Sequence, residues 1–251
     1  MGCENTSMTF WHVLNRGVEK RDIFLDSSDR VRFVHNLYEF NDSAPAMEYV
    51  RRPDPDVGPR RSHIREPIVS IHAWCLRPNH YHLLLSEREE SGLTRFLMKL
   101  NVGYAKYFNE RYEREGSLFQ GRTKKVLVER GAQFNYLPHY IHLNALDELP
   151  GAERWRFRDG GVVENVDDAY DHLGKYRWSS YLDYTGKKNF PSVLTPLWTP
   201  KKYADSLREY LESAAERDDE DSRGRAPLWL EQIPMRHPCG TYEVPHGTGA
   251  H

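Results

Sequence analysis

The sequence predicts an α+β fold. Its antiparallel sheet is built in the order β-α-β-β-α-β, the ferredoxin-like split βαβ arrangement, followed by a tyrosine-bearing helix and an irregular tail. Three observations carry this. Short runs rich in aromatic and β-branched residues alternate with two stretches of helical apolar spacing. Pro78-Asn79 separates two such runs as a tight turn, which marks a hairpin. At 251 residues the chain can bury the core of one domain plus appended structure, but hardly two large independent domains.

The elements follow in order. Thr9 to Asn15 is a first strand ending at Arg16-Gly17. Asp26-Ser27-Ser28-Asp29 supplies capping chemistry ahead of Val31, Phe33, Val34, Leu37 and Phe40, whose spacing is helical. Residues 41 to 66 hold four prolines and no apolar period, so they read as an inserted surface loop. Ile68 to Arg77 and the strand from His80 form the hairpin, placing the histidines mid-sheet. Ser91-Gly92 opens an amphipathic helix with Leu93, Phe96, Leu97, Leu100, Tyr104 and Phe108 on one side. Lys124 to Glu129 is a short strand, and Gln133 to Leu146 a helix strained or kinked by Pro138. This divides the chain into a domain over residues 8–148 and an extension over 149–251. The extension's first part, 149–185, packs on the domain through the aromatic turn Tyr176 to Tyr181. Pro-rich segments, a helix from about Pro200 to Glu216 and a tail follow.

Three cysteines far apart, with no Cys-x-x-Cys pair, indicate neither a disulfide framework nor a thiolate zinc site. No apolar run is long enough to span a membrane, and Met1 to Ser7 is too polar for a signal core, so a cytoplasmic protein is expected. The formal net charge of −2 hides an uneven distribution. Residues 60 to 130 hold ten Arg and four Lys against eight Glu, a net of +6, whereas residues 203 to 222 hold two Arg against eight acidic groups, a net of −6. The basic part coincides with the histidine motif and offers a footprint for phosphates. It reads equally as a solvated face.

Strand periodicity places His80 and His82 on one face and Tyr81, Leu83 and Leu85 on the other. Two neutral imidazoles are two-thirds of a small metal site. Asn144, with a carbonyl oxygen, is the candidate third ligand, in an open site suited to Mg²⁺ or Mn²⁺. Tyr140 lies one helical turn before Asn144 and would face the same cation. Such a cation polarises a phosphodiester and aligns phosphorus with an attacking hydroxyl. A phenol ionising near pH 10 needs that help to act as a nucleophile. Each element also has a plain structural reading. An H-x-H pair is often incidental, Tyr104, Tyr136 and Tyr140 fit a core, and His139 and His142 would make a different metal pair.

Five segments, in order, resemble the single-tyrosine HUH transposases, and most of all the REP-associated tyrosine transposase branch. They are Trp11 to Gly17, Ala73 to Leu84, Gly116 to Lys124, Tyr140 to Asn144 and Tyr176 to Tyr181. The resemblance covers about residues 8 to 185. It implies a ferredoxin-like domain that binds single-stranded or hairpin DNA, with His80, His82 and Asn144 holding a divalent metal and Tyr140 cleaving through a 5′-phosphotyrosine. Arg16, Trp74, Arg95, Lys99, Phe119, Gln120, Arg122 and Lys124 are the candidate DNA contacts, with Trp74, Phe119 and Tyr107 as stacking aromatics. It also implies a bacterial, nucleoid-associated location, with monomer and homodimer both open. Two departures stand out: Ala145 where the family has proline, and Pro138 inside the tyrosine helix. Two further readings remain. One is a domesticated protein of the same fold that binds DNA or RNA hairpins without cutting them. The other is a domain with structural zinc, for which three named ligands are one too few.

Overall fold

The computed structural model describes residues 8–44, 65–128, 132–149 and 166–215. The proline-rich insertion between 45 and 64 and the acidic tail from 216 lie outside the described residues. Among those residues the elements are β1 (Phe10–Arg16), α1 (Ser27–Glu39), β2 (Val69–Arg77), β3 (His80–Glu87), α2 (Gly92–Arg111), β4 (Lys124–Val128) and α3 (Ala132–Leu143). A 3₁₀ turn (Asn144–Glu148), α4 (Val166–Lys175), α5 (Tyr181–Tyr184) and α6 (Pro200–Ala215) follow. The protein is therefore α+β with one four-stranded sheet in the order β2-β3-β1-β4. Every neighbouring pair is antiparallel, so β1 and β2 run the same way with β3 inserted between them. No helix among the described residues is long and apolar enough to cross a membrane.

Strand alternation sorts side chains into two cores. One face carries Val13, Trp74, Leu76, Tyr81, Leu83 and Leu85 against α1 and α2, where Phe33, Leu37, Phe96, Leu100, Tyr104 and Phe108 close it. The other carries Phe10, Ala73, Cys75 and Leu84 against α3 to α6, through Tyr140, Ile141, Leu173, Tyr184, Tyr203 and Leu207. The helices α4 to α6 thus roof the sheet face that bears the histidines.

The local chemistry explains several boundaries. Asp26 caps α1 by accepting from the Asp29 amide at 3.0 Å. Asn41 fastens the base of the long insertion by accepting from the amides of Ile68 and Val69, both at 3.0 Å. The segment at 178–180 pairs with the open edge of β2: Leu76 N–H donates to the Trp178 carbonyl at 2.8 Å, and Cys75 bridges Ser179. An edge left bare would be a template for foreign strands, so the turn expected at 176–181 is an edge cover as well as an aromatic plug. The helix expected to run through Leu146 stops being α-helical at Asn144. There the Asn144 side-chain amide donates to the Tyr140 carbonyl at 2.6 Å, competing for the acceptor that an α-helix would give to the Asn144 backbone. α3 passes through Pro138 as one element.

Candidate active site

The register across the sheet assembles the site. Arg77, His80 and Arg16 stand in one cross-strand row; Cys75, His82, Leu14 and Lys124 in the next; and Leu84, His12 and Val126 in the third. All lie on the face covered by α3 to α6. His80 is the first residue of β3, so it sits at the end of the sheet rather than in its middle, and is partly buried. His82 is buried, at 2% exposure.

The two histidine rings are edge to face with centroids 5.0 Å apart. His12, on β1, stacks on His82 at 5.2 Å and 15°, and its Nε2 lies 3.0 Å from His82 Nδ1. Burial pushes the His12 imidazole down to about 4, so it is neutral at pH 7. Tyr140 meets both rings edge-on, 5.9 Å from each, at 83° to His12 and 90° to His82. Its ring is only 1% exposed and also touches Tyr136. Asn144, fully buried, starts the 3₁₀ turn below Tyr140, and the carbonyl of Ala145 accepts from Arg77 Nη1 at 3.3 Å. Arg77 also lies 3.6 Å from Glu148 and 3.8 Å from Asp147, so its charge is shared with carboxylates of the same turn.

The end of the sheet is rigidly tied. Gly17 N–H donates to the Asn79 carbonyl at 2.8 Å, and a Cβ on Gly17 would come within 2.2 Å of the Arg21 carbonyl, so only glycine lets β1 end here. Arg16 Nε donates to Gln120 Oε1 at 2.7 Å, and the Gln120 amide donates to the Arg16 carbonyl at 2.8 Å. Thr123 accepts from Asn15 and Asn101, and Asn101 in turn accepts from Tyr81. That chain holds the 117–124 loop beside the His80 row, with Gln120, Arg122 and Lys124 exposed.

Other candidates fall elsewhere. Trp74 is fully buried under α1 and α2, Phe119 is 7% exposed in the same core, and Tyr107 donates to Asp29. Trp74 and Phe119 present no free ring to a base, so their stacking role is withdrawn, and the half-buried Tyr107 lies on the sheet face away from the histidines. Arg95 and Lys99 sit on α2, across the sheet from the histidines; Arg95 pairs with Glu89 at 2.8 Å and Lys99 donates to the Asp42 carbonyl at 2.7 Å. They do not join the histidine site. His142 has both ring nitrogens occupied, by Tyr203 at 2.6 Å and Ser180 at 2.7 Å, and His139 Nε2 meets Ser206 at 2.9 Å. That pair is a buried structural network rather than a ligand set.

Two residues escaped the sequence reading. Asn79 donates to the Lys20 carbonyl at 3.1 Å, which turns its oxygen onto His80 Nδ1 at 2.6 Å. His12 is the second. Its signal was the register itself, since pairing Leu14 with His82 sets His12 diagonally beside it. Among the described residues no group of three or more His, Cys, Asp or Glu is placed to hold a metal, so a cation at His80 and His82 would need other oxygen donors.

No protein-family profile and no curated protein sequence matches the chain. Among solved structures, a REP-associated tyrosine transposase bound to a REP hairpin is similar over 75% of this chain and 85% of that one, at 11% identity and a TM-score of 0.40.

Proposed function

We propose that the protein is a single-tyrosine strand transferase that nicks and rejoins single-stranded or hairpin DNA with the help of a divalent cation. The observation that carries this reading is the packing of Tyr140 edge-on against His82, 5.9 Å between centroids, with His80 beside it on the same strand face. The strand order and directions suit the ferredoxin-like arrangement.

The donor set fits a hard or borderline cation. Because the Asn79 oxygen faces His80 Nδ1, that nitrogen is the N–H donor, and the Nε2 of His80 carries the lone pair a metal needs. His80, His82 and the Asn144 oxygen would hold Mg²⁺ or Mn²⁺, with water or substrate completing the shell. When bound, the cation draws charge from the non-bridging phosphate oxygens and lowers the barrier to in-line displacement.

The chain's own residues do the rest. Tyr140 oxygen attacks phosphorus as its proton leaves; the P–O3′ bond breaks, giving a 5′-phosphotyrosine and a free 3′-hydroxyl. A second 3′-hydroxyl reverses the step, so cutting and joining need no nucleotide cofactor. Arg16, oriented by Gln120, together with Arg122 and Lys124 supplies positive charge where the DNA backbone would enter.

A second reading is favoured by one observation: Tyr140 is 1% exposed, which suits a hairpin-binding protein that keeps the fold without cutting. Labelled single-stranded hairpin DNA incubated with protein and Mn²⁺ or EDTA, then run on a denaturing gel, separates the two. A Mn²⁺-dependent covalent adduct that vanishes in Tyr140→Phe is expected. Tight binding without an adduct overturns the strand-transferase reading in favour of the second.

A further inference from the structure

We propose that His12 is a positioning residue that fixes the proton of His82. The proposal rests on the cation reading above. A neutral imidazole can ligate only through the nitrogen that lacks a proton, so each metal histidine needs a partner that holds its proton on the other nitrogen. His80 has such a partner in the Asn79 oxygen. At His82 the Nδ1 faces the Nε2 of His12 at 3.0 Å.

Only one arrangement of that pair leaves His82 fit to ligate. His82 carries its proton on Nδ1 and donates it to His12 Nε2, and His12 carries its own on Nδ1. In the reverse arrangement His12 donates, the His82 proton sits on Nε2, and that nitrogen is blocked. The Nδ1 of His12 is buried and has no hydrogen-bond partner among the described residues. A buried imidazole with one nitrogen unmatched is a costly way to fill space between strands, where phenylalanine would pack without that penalty. The cost is explained if the acceptor at Nε2 is what the site requires.

The test combines manganese affinity with a reading of the proton itself. Wild-type protein, His12→Phe and His12→Gln are titrated with Mn²⁺ by calorimetry, and metal-free thermal melts verify folding of each. Phenylalanine keeps the volume and removes the acceptor, so affinity should fall by roughly 10- to 100-fold. Glutamine carries an oxygen near the Nε2 position and should bind close to wild type. Long-range ¹H–¹⁵N spectra of the metal-free protein, with His82 assigned by its loss in His82→Ala, should show the His82 proton on Nδ1 in wild type and in His12→Gln. Equal Mn²⁺ affinity in wild type and His12→Phe, or a wild-type His82 proton on Nε2, overturns the role of His12 and leaves the cation reading standing. No Mn²⁺ uptake by folded wild type overturns the cation reading and this proposal with it.

Discussion

Ser180 and Trp74 hold each other through both polar groups that a strand pair offers: the Ser180 amide donates to the Trp74 carbonyl at 3.0 Å, and the Trp74 amide donates to Ser180 Oγ at 2.9 Å. The same Oγ lies 2.7 Å from His142 Nε2, so one hydroxyl joins the β2 edge to the tyrosine helix. The roof over the histidine face is thereby locked to the sheet it covers.

Ser180→Ala should therefore destabilise far more than an ordinary serine substitution. It leaves the buried Trp74 N–H and one nitrogen of His142 without their partner, at about 1–3 kcal/mol for each unsatisfied group. Urea unfolding should show a lower midpoint with an unchanged slope. A midpoint equal to wild type would mean that water replaces the hydroxyl and the lock is not a lock.

Asp29 ties α1 to the far end of α2. Fully buried in the first turn of α1, it accepts from the Leu25 amide at 2.8 Å, Tyr112 at 2.9 Å, Tyr107 at 3.1 Å and Arg111 at 2.6 Å. Burial, with Asp29 close by, pushes the Tyr107 phenol up to about 12, so it stays a donor. Asp29→Ala leaves four donors facing a void, one of them charged. A loss of about 3–5 kcal/mol is expected, as for removing one partner of a buried ion pair. Chemical denaturation measures it, and a loss below about 1 kcal/mol, the scale of an exposed pair, would refute the network.

Much of this architecture was legible because periodicity reports faces. The helical spacing of Leu93 to Phe108 and the alternation at His80 to Leu85 put the right residues in the right cores. α4 was less legible. The signal over Val166–Lys175 was there, with Val166, Ala169, Tyr170 and Leu173 at i, i+3, i+4 and i+7, but ten residues give it only two turns in which to repeat. Trp74 was misassigned although the hairpin decides it: a turn at Pro78-Asn79 pairs Arg77 with His80, hence Trp74 with Leu83, on the face away from the histidines. At the site, His80, His82 and Tyr140 were readable as a local pattern. His12 and Asn79 were not, because their roles come from cross-strand register and from an amide orientation fixed by Lys20.

Chelation should leave the fold intact. Both cores close through apolar side chains on either side of the sheet, and no described set of three His, Cys, Asp or Glu groups bridges elements through a metal. Thermal melts in EDTA and in buffer alone should superpose. A large drop in melting temperature on chelation would point instead to a cation that holds the fold together.

Acid should unfold the protein well before its carboxylates are fully protonated. His72 donates from Nδ1 to the Thr195 carbonyl at 2.8 Å and its Nε2 meets Ser86 Oγ at 2.8 Å; it and His139 are buried, and burial pushes both down to about 4. In the unfolded chain each titrates near 6.5. The unfolded state therefore binds more protons between these values, and the stability from keeping the rings neutral is fully present above pH 6.5 and drains away as pH falls towards 4. One such histidine contributes up to about 3 kcal/mol, a large fraction of the about 5–15 kcal/mol that holds a domain folded. Unfolding free energies measured from pH 7.5 to 4.5 should fall steeply below 6.5. His72→Gln, whose amide still pairs but does not titrate, should flatten that slope by close to one proton. A slope that the substitution leaves untouched would show that His72 is protonated in the folded protein.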